Sequence, residues 1–278
     1  MRKMVFLGLF LVFAAPVSAD ELLPGDFANQ SCIDCHEKQT PQPVLQWRAS
    51  AHAPTVADCV ACHGERHDGA AARSRRNDTC TGCHGGPESS VVRSYVTSKH
   101  GVIAAIEGDR WDWSRRLAEA NYRAPTCAYC HLYDGRHDIG RAIAPWNPLY
   151  NGDAAAFEEA RENAEEPCRD CHSPRYIETL FAAGDRGMGI GRRKMREAKA
   201  LLDRLGGPET EEELRRLLKN MESKSLKSLW HGTVHQSPDY QWWFGQAALD
   251  GDLLRIKAAV SRLQRKRTLS GGKPSDGQ

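Results

Sequence analysis

Apolar and polar positions are distributed along this 278-residue chain in three distinct ways. The run from Met4 to Val17 is almost wholly apolar and follows a basic start, Met1 to Lys3. From Cys32 to Cys171, short apolar clusters are broken every few residues by Gly, Pro and polar positions. That texture predicts short helices and very little strand. An Ala/Glu-rich helix is predicted over Asp153 to Glu166, ended by Pro167. Beyond Asp185 the pattern turns helical. One helix is predicted from Arg192 to Leu205, closed by Gly206, Gly207 and Pro208. Thr210 followed by Glu213 forms a capping-box start for a second, running to about Leu229, with Leu214, Leu217 and Leu218 on one face. A third is predicted from Gln246 to Arg267, and Gly271 to Gln278 read as disordered.

The N-terminal run is too short for a comfortable membrane span and ends in the small-residue site Val17, Ser18, Ala19. It reads as a secretory signal peptide over residues 1–19, against the alternative of an uncleaved anchor. No other stretch has the length and apolarity to cross a bilayer, so stable membrane insertion is not expected. The expected location is the periplasm.

The cysteines change the picture most. All ten fall in five copies of Cys-x-x-Cys-His: Cys32, Cys35 and His36; Cys59, Cys62 and His63; Cys80, Cys83 and His84; Cys127, Cys130 and His131; Cys168, Cys171 and His172. This is the attachment signature of c-type haem. Two thiols add across the porphyrin vinyl groups, and the next residue offers an imidazole to the iron. Structural zinc needs four ligands and does not demand a histidine after every second cysteine. Disulfides would leave the five histidines unexplained. Five covalently attached haem c groups are therefore expected. The motif spacings are irregular, so this is no tandem repeat.

Four segments are expected: the leader 1–19, a pentahaem domain 20–185, a helical region 186–268 with a distal histidine segment, and a tail 269–278. The fold class expected is mainly α, a haem-packed core followed by C-terminal helices. Aliphatic content is modest, so the macrocycles must supply much of the apolar core.

The formal charge of +2 disappears with Arg2 and Lys3 of the leader. Two propionates per haem then make the holoprotein acidic. Nucleic acid, which selects a basic face, is not an expected partner. Arg73, Arg75, Arg76, Arg115, Arg116, Arg123 and Arg141 are candidates for pairing with propionates, because a guanidinium matches a carboxylate fork.

Six histidines remain outside the motifs: His52, His67, His100, His137, His231 and His235. Five irons need at most five distal ligands, so bis-histidine ligation throughout is possible with one to spare. His52, His67, His100 and His137 are expected to ligate, with at least one of His231 and His235. Met188, Met195 and Met221 are the rival ligands, but they lie in charged helical sequence where a structural role fits better.

The chain also resembles a known family, the hydroxylamine oxidoreductase type of multihaem cytochrome. The resemblance covers most of the mature chain. It runs through Cys32 to His36 with Thr40 and Pro41, Gln46 to Ala53, Tyr95 to Gly101, Arg110 to Trp113, and Ala124 to Thr126. It continues through Cys168 to Ser173 with Arg175 and Tyr176, then His231, Gly232 and His235 to Tyr240. The resemblance implies distal roles for the histidines of the Ser-x-His segments and for His67. Family enzymes bind eight haems and form trimers, which implies a possible homo-oligomer.

The departures bear on function. The motifs from Cys59 onward look like the last four of the family's eight, and the first like the opening one. The catalytic haem motif has no counterpart. Where the enzymes carry an Asp-His pair, this chain has Glu88 and Ser89. Tyr240 falls where the oxidising enzymes keep a cross-linking tyrosine, though it also reads as an interfacial aromatic beside Trp242, Trp243 and Phe244.

Two classes compete. The favoured one is an electron-transfer protein working between redox partners, other cytochromes or quinol-linked oxidoreductases. The other is an oxidoreductase on small nitrogen compounds, needing one open iron. The first haem, at His36, is the candidate for it, with Glu88, Tyr240, His231 and His235 as pocket residues. A structural or sensor haem protein is a third class, and the least favoured, because a gas sensor normally needs one haem and not a chain of them.

Overall fold

Along the longest helix, the buried positions Ile177, Phe181, Gly184, Met188, Gly191, Met195, Ala198, Leu202 and Leu205 advance in alternating steps of four and three. That is the 3.5-residue period of a packed helical seam. The helix spans Pro174–Leu205. In this computed structural model the described residues are 26–53, 55–86, 88–139, 146–147, 154–205 and 212–271. The leader, Arg141, the turn at 206–208, Thr210 and residues 272–278 lie outside them.

The chain enters through α1 (Asn29–Gln39), α2 (Pro41–Ala49), α3 (Cys59–His63), α4 (Ala70–Ser74) and α5 (Asn77–Thr81). It continues through α6 (Ser90–Val96), α7 (Lys99–Glu107), α8 (Cys127–His131) and α9 (Ala154–Glu165). The C-terminal part is α10 (Pro174–Leu205), α11 (Glu212–Asn220), α12 (Lys227–Val234) and α13 (Ala247–Gly271). Among the described residues the one β feature is an isolated bridge between Asp26 and Arg66.

Helices α10 to α13 hold the main apolar core. Met188, Leu214, Met221, Leu229, Leu249 and Ile256 are wholly buried there. Met188, Met195 and Met221 are thus core residues. Gly184 and Gly191 permit the close approach. A Cβ on Gly184 would come within 2.8 Å of the Trp146 ring, and one on Gly191 within 2.5 Å of Leu229 Cδ2. A second, smaller core joins Trp111, Leu117, Tyr122 and Ala124. Between residues 26 and 100 the buried apolar side chains are few: Ile33, Val44 and Val92. The helices there are too short and too thinly packed to be stable on their own side chains.

Several expectations are corrected. The helix expected from Arg192 begins at Pro174, so the boundary expected between 185 and 186 falls inside continuous helix. The reason is packing: glycines at 184, 187, 189 and 191 depress intrinsic helix propensity, but the buried seam overrides it. The helix expected to end near Leu229 runs on to Val234 through a π-helical turn, Met221–Leu226. A second π turn, Gln241–Gln246, precedes α13, which continues past Arg267 to Gly271. Residues 269–271 of the expected tail are therefore helical.

Candidate haem sites

Each motif sits on a single turn of chain, which points its histidine away from the backbone. Side chains cap the second and fourth motifs. Asp58 Oδ1 accepts from the backbone N–H of Ala61 at the start of α3. Asn29 Oδ1 accepts from Cys59 N at 3.0 Å, and Asn77 Oδ1 from Cys127 N at 2.9 Å. Both asparagines stand three residues ahead of a motif's first cysteine, and each caps the motif that follows. This joint was not read from the sequence; the shared Asn-x-x-Cys spacing was its signal.

None of the ten cysteines is in a disulfide. Burial pushes the Cys130 thiol up to about 12 and Cys168 to about 11. Cysteines of successive motifs act on one another: Cys32 on Cys59, Cys80 on Cys62, and Cys168 on Cys130, while Cys80 and Cys127 share a hydrogen bond. The five motifs are therefore neighbours in space in their order along the chain.

The histidines fall into pairs. Ring centres are 6.3 Å apart for His36 and His67, and 6.0 Å for His63 with His137, His84 with His52, and His172 with His100. The remaining motif histidine, His131 of the fourth motif, acts electrostatically on His235. A metal–imidazole bond of about 2 Å on each side separates two trans imidazole centres by roughly 6 Å. No group of three His, Cys, Asp or Glu among the described residues is placed to hold a metal ion. Two axial imidazoles with four equatorial positions left over suit a porphyrin iron, so the residues fit the group.

Second contacts fix the tautomers. His63 Nδ1 lies 3.2 Å from the Ala70 carbonyl and His137 Nδ1 2.9 Å from that of Gly135. A carbonyl only accepts, so Nδ1 carries the proton and Nε2 keeps its lone pair for a metal. His36 Nδ1 meets Thr40 Oγ1 at 2.6 Å. His235 Nδ1 meets Ser94 Oγ at 2.7 Å, and Ser94 donates to the Val91 carbonyl, so the imidazole must be the donor. Burial holds His63, His100, His131 and His137 below the ordinary histidine value and takes His235 to about 3. A lowered value favours the neutral imidazole, the form a metal would need.

The segment from Gln46 to Ala53 is built to present His52. Trp47 Nε1 donates to the Ala57 carbonyl, Ser50 Oγ donates to the Trp47 carbonyl, and His52 N donates to Ser50 Oγ. Gln46 Oε1 accepts from His137 N at 2.8 Å. Ser98 caps α7 through Gly101 N, in a turn so tight that a Cβ on Gly101 would strike the Tyr95 carbonyl. That turn aims His100 at His172.

His231 is the spare. It is buried and bound to Ser90 Oγ at 2.8 Å, and burial lowers it to about 4. Its ring lies on that of Trp230, with centroids 4.9 Å apart. The pocket expected at His36 is also changed, because the His67 imidazole stands over it. Glu88 is exposed and reaches Arg93 at 3.8 Å. Tyr240 is buried and stacks on Phe244, over which the Arg93 guanidinium lies. Glu88 and Tyr240 are thus linked through Arg93 and Phe244.

The candidate propionate arginines have protein partners. Arg76 pairs with Asp78, Arg115 with Asp112, Arg116 with Asp134 and Arg123 with Glu107, while Arg75 donates to the Trp113 carbonyl. Arg73 packs its Cδ beside Gly64. Tyr129 and Tyr133 both donate to Asp170, tying the fourth motif to the fifth.

Comparison with known proteins places this geometry. The chain is 24% identical to a probable nitrite reductase-hydroxylamine oxidoreductase fusion protein of Kuenenia stuttgartiensis, over 85% of this chain and 43% of the relative. It therefore spans less than half that protein's length. Among solved structures, the reducing HAO-like protein complex of Kuenenia stuttgartiensis superposes with a TM-score of 0.54 at 19% identity, covering 87% of this chain and 86% of that one. A hypothetical multiheme protein superposes with a TM-score of 0.62 at 17% identity, covering 76% and 59%. Both have the same haem-packed helical fold. The family described as seven times multi-haem cytochrome CxxCH matches residues 49–208, a stretch that holds four of the five motifs and more than half of the chain. This chain belongs to that family of multihaem cytochromes, whose Cys-x-x-Cys-His motifs hold haem c covalently.

Proposed function

We propose that this chain is a periplasmic pentahaem c-type cytochrome that transfers electrons between redox partner proteins through bis-histidine haems. Cys32 and Cys35, Cys59 and Cys62, Cys80 and Cys83, Cys127 and Cys130, and Cys168 and Cys171 attach the five groups. His36, His63, His84, His131 and His172 are the proximal ligands. His67, His137, His52, His235 and His100 face them in that order. The observation that carries the reading is this pairing: every motif imidazole has a second imidazole within reach.

The bound haems supply one-electron chemistry. The protein's own work is to hold His63, His137 and His235 in one tautomer, through Ala70, Gly135 and Ser94, and to keep motifs adjacent in chain order. Two filled axial positions leave no seat for a substrate. The apolar leader supports export to the compartment where the thiols are loaded.

Electron paramagnetic resonance of the oxidised holoprotein tests this. Only low-spin ferric signals are expected, with a protein mass that includes five macrocycles. A high-spin signal perturbed by hydroxylamine or nitrite would overturn the carrier role. That outcome would favour the second reading, an oxidoreductase on small nitrogen compounds, which the likeness to the fusion protein motivates.

A further inference from the structure

Tyr95, on α6, reaches both ends of the fourth attachment site. Its ring stands T-shaped to the His235 imidazole, with centroids 6.2 Å apart and planes at 75°. Its hydroxyl lies at the attachment turn instead. It donates to the Pro125 carbonyl at 2.9 Å, two residues ahead of Cys127, and accepts from Asn77 Nδ2 at 3.1 Å. Asn77 Oδ1 in turn accepts from Cys127 N. Cys127, Cys130 and Cys80 of the third motif are all within electrostatic range of the phenol. Burial raises the phenol above its ordinary value, so the hydroxyl keeps the proton it donates.

His235 is thereby held on two sides. Ser94 Oγ accepts from its Nδ1 at 2.7 Å, which fixes the tautomer. One hydrogen bond still leaves the ring a range of twist about its own Nε2 direction. A phenol ring standing across it removes part of that range, and the T-shaped arrangement is the favoured one for two π systems. The phenol cannot swing aside without losing both hydroxyl bonds. The main chain of Tyr95 serves a different ligand. Its carbonyl accepts from Ser98 N at 2.9 Å, and Ser98 caps the helix that carries His100.

We infer that Tyr95 is a positioning residue that sets the twist of the His235 imidazole plane relative to that of His131. The inference rests on the bis-histidine reading above. Groups that orient a ligand ring tune the metal it binds. In a low-spin ferric haem the angle between the two axial imidazole planes sets the splitting of the iron d orbitals, and with it the g anisotropy. One side chain therefore references both the thioether turn and the distal ring of a single haem.

Electron paramagnetic resonance of the oxidised holoprotein tests this with two variants. Tyr95→Phe keeps the ring and deletes both hydroxyl bonds; Tyr95→Leu deletes the ring as well. One low-spin signal should broaden in the first and change its g values in the second. It should be the signal that His235→Ala removes from the low-spin set. The other four should stay in place, including that of the His100 site, whose link to Tyr95 is main chain only. Tyr95→Phe, close to isosteric, decides the matter if the leucine variant does not accept five haems. The inference is overturned if all low-spin signals are unchanged while the melting temperature falls, which is the mark of packing alone, or if the signal that moves is not that of His235. The electron-transfer reading fails on the wild-type spectrum, through a high-spin signal, whereas this inference fails on the difference between variant and wild type.

Discussion

Ser94 Oγ accepts the Nδ1–H of His235 at 2.7 Å across 141 residues of sequence, and one turn earlier Ser90 Oγ is hydrogen-bonded to His231 Nδ1 at 2.8 Å. Two serines four apart on α6 thus engage two histidines four apart, one within α12 and one at its C-terminal cap. Only His235 lies within electrostatic range of a motif histidine.

Replacing Ser94 by Ala should leave the His235 ring without its acceptor. A less basic ligand stabilises ferric iron less, so one haem potential should rise by tens of mV, at about 59 mV per tenfold change in relative binding. Ser94→Thr should restore it. Spectroelectrochemical titration gives the answer; an unchanged set of five potentials would show that Ser94 does not tune this ligand.

The ligand assignment separates His67 from His231. His67→Ala should empty one axial position and produce a high-spin ferric signal that cyanide abolishes. His231→Ala should produce none, although it removes a buried hydrogen bond. Reversed results would exchange the two residues' roles.

The buried His231 also predicts a pH dependence. Its value in the fold is about 4, below the ordinary 6.5, so the unfolded chain binds more protons between those limits. Its neutral form therefore favours folding fully above pH 6.5, and that contribution falls away as pH drops toward 4. His231→Gln should flatten the acid limb of the melting temperature over that interval. An identical slope in the variant would contradict it.

Glycines on α10 should respond oppositely according to the face they occupy. Gly191→Ala forces a Cβ into Leu229 and should cost about 1–3 kcal/mol. Gly189→Ala meets nothing closer than the end of the Arg193 side chain at 3.7 Å, and should gain up to about 1 kcal/mol of helix propensity. Thermal unfolding of the two holoproteins is the measurement.

The attachment sites were legible because their chemistry is local: two thiols and an imidazole on one turn. Counting histidines gave the candidates for the far side of each iron. It could not give partners, because His63 and His137, or His131 and His235, meet through folding of distant segments. The long helix was half visible. Its second part follows from ordinary propensity, but its first part carries glycines whose value appears only when Trp146, Thr233 and Leu229 press against them. The helical tail past Arg267 is set by the Leu205 carbonyl, which accepts from Arg267, a contact with no sequence signal.

The asparagine joint has a consequence for construction. Asn29 seats the second motif and Asn77 the fourth by the same kind of bond, so the first two motifs and the next two are each joined by one connector, and the fifth stands outside this scheme. A cassette that carries its own connector can be duplicated or deleted as a unit without disturbing the loading turn on either side. Members of such a lineage would then differ in length by twos, with the odd terminal unit left to set the junction to whatever follows.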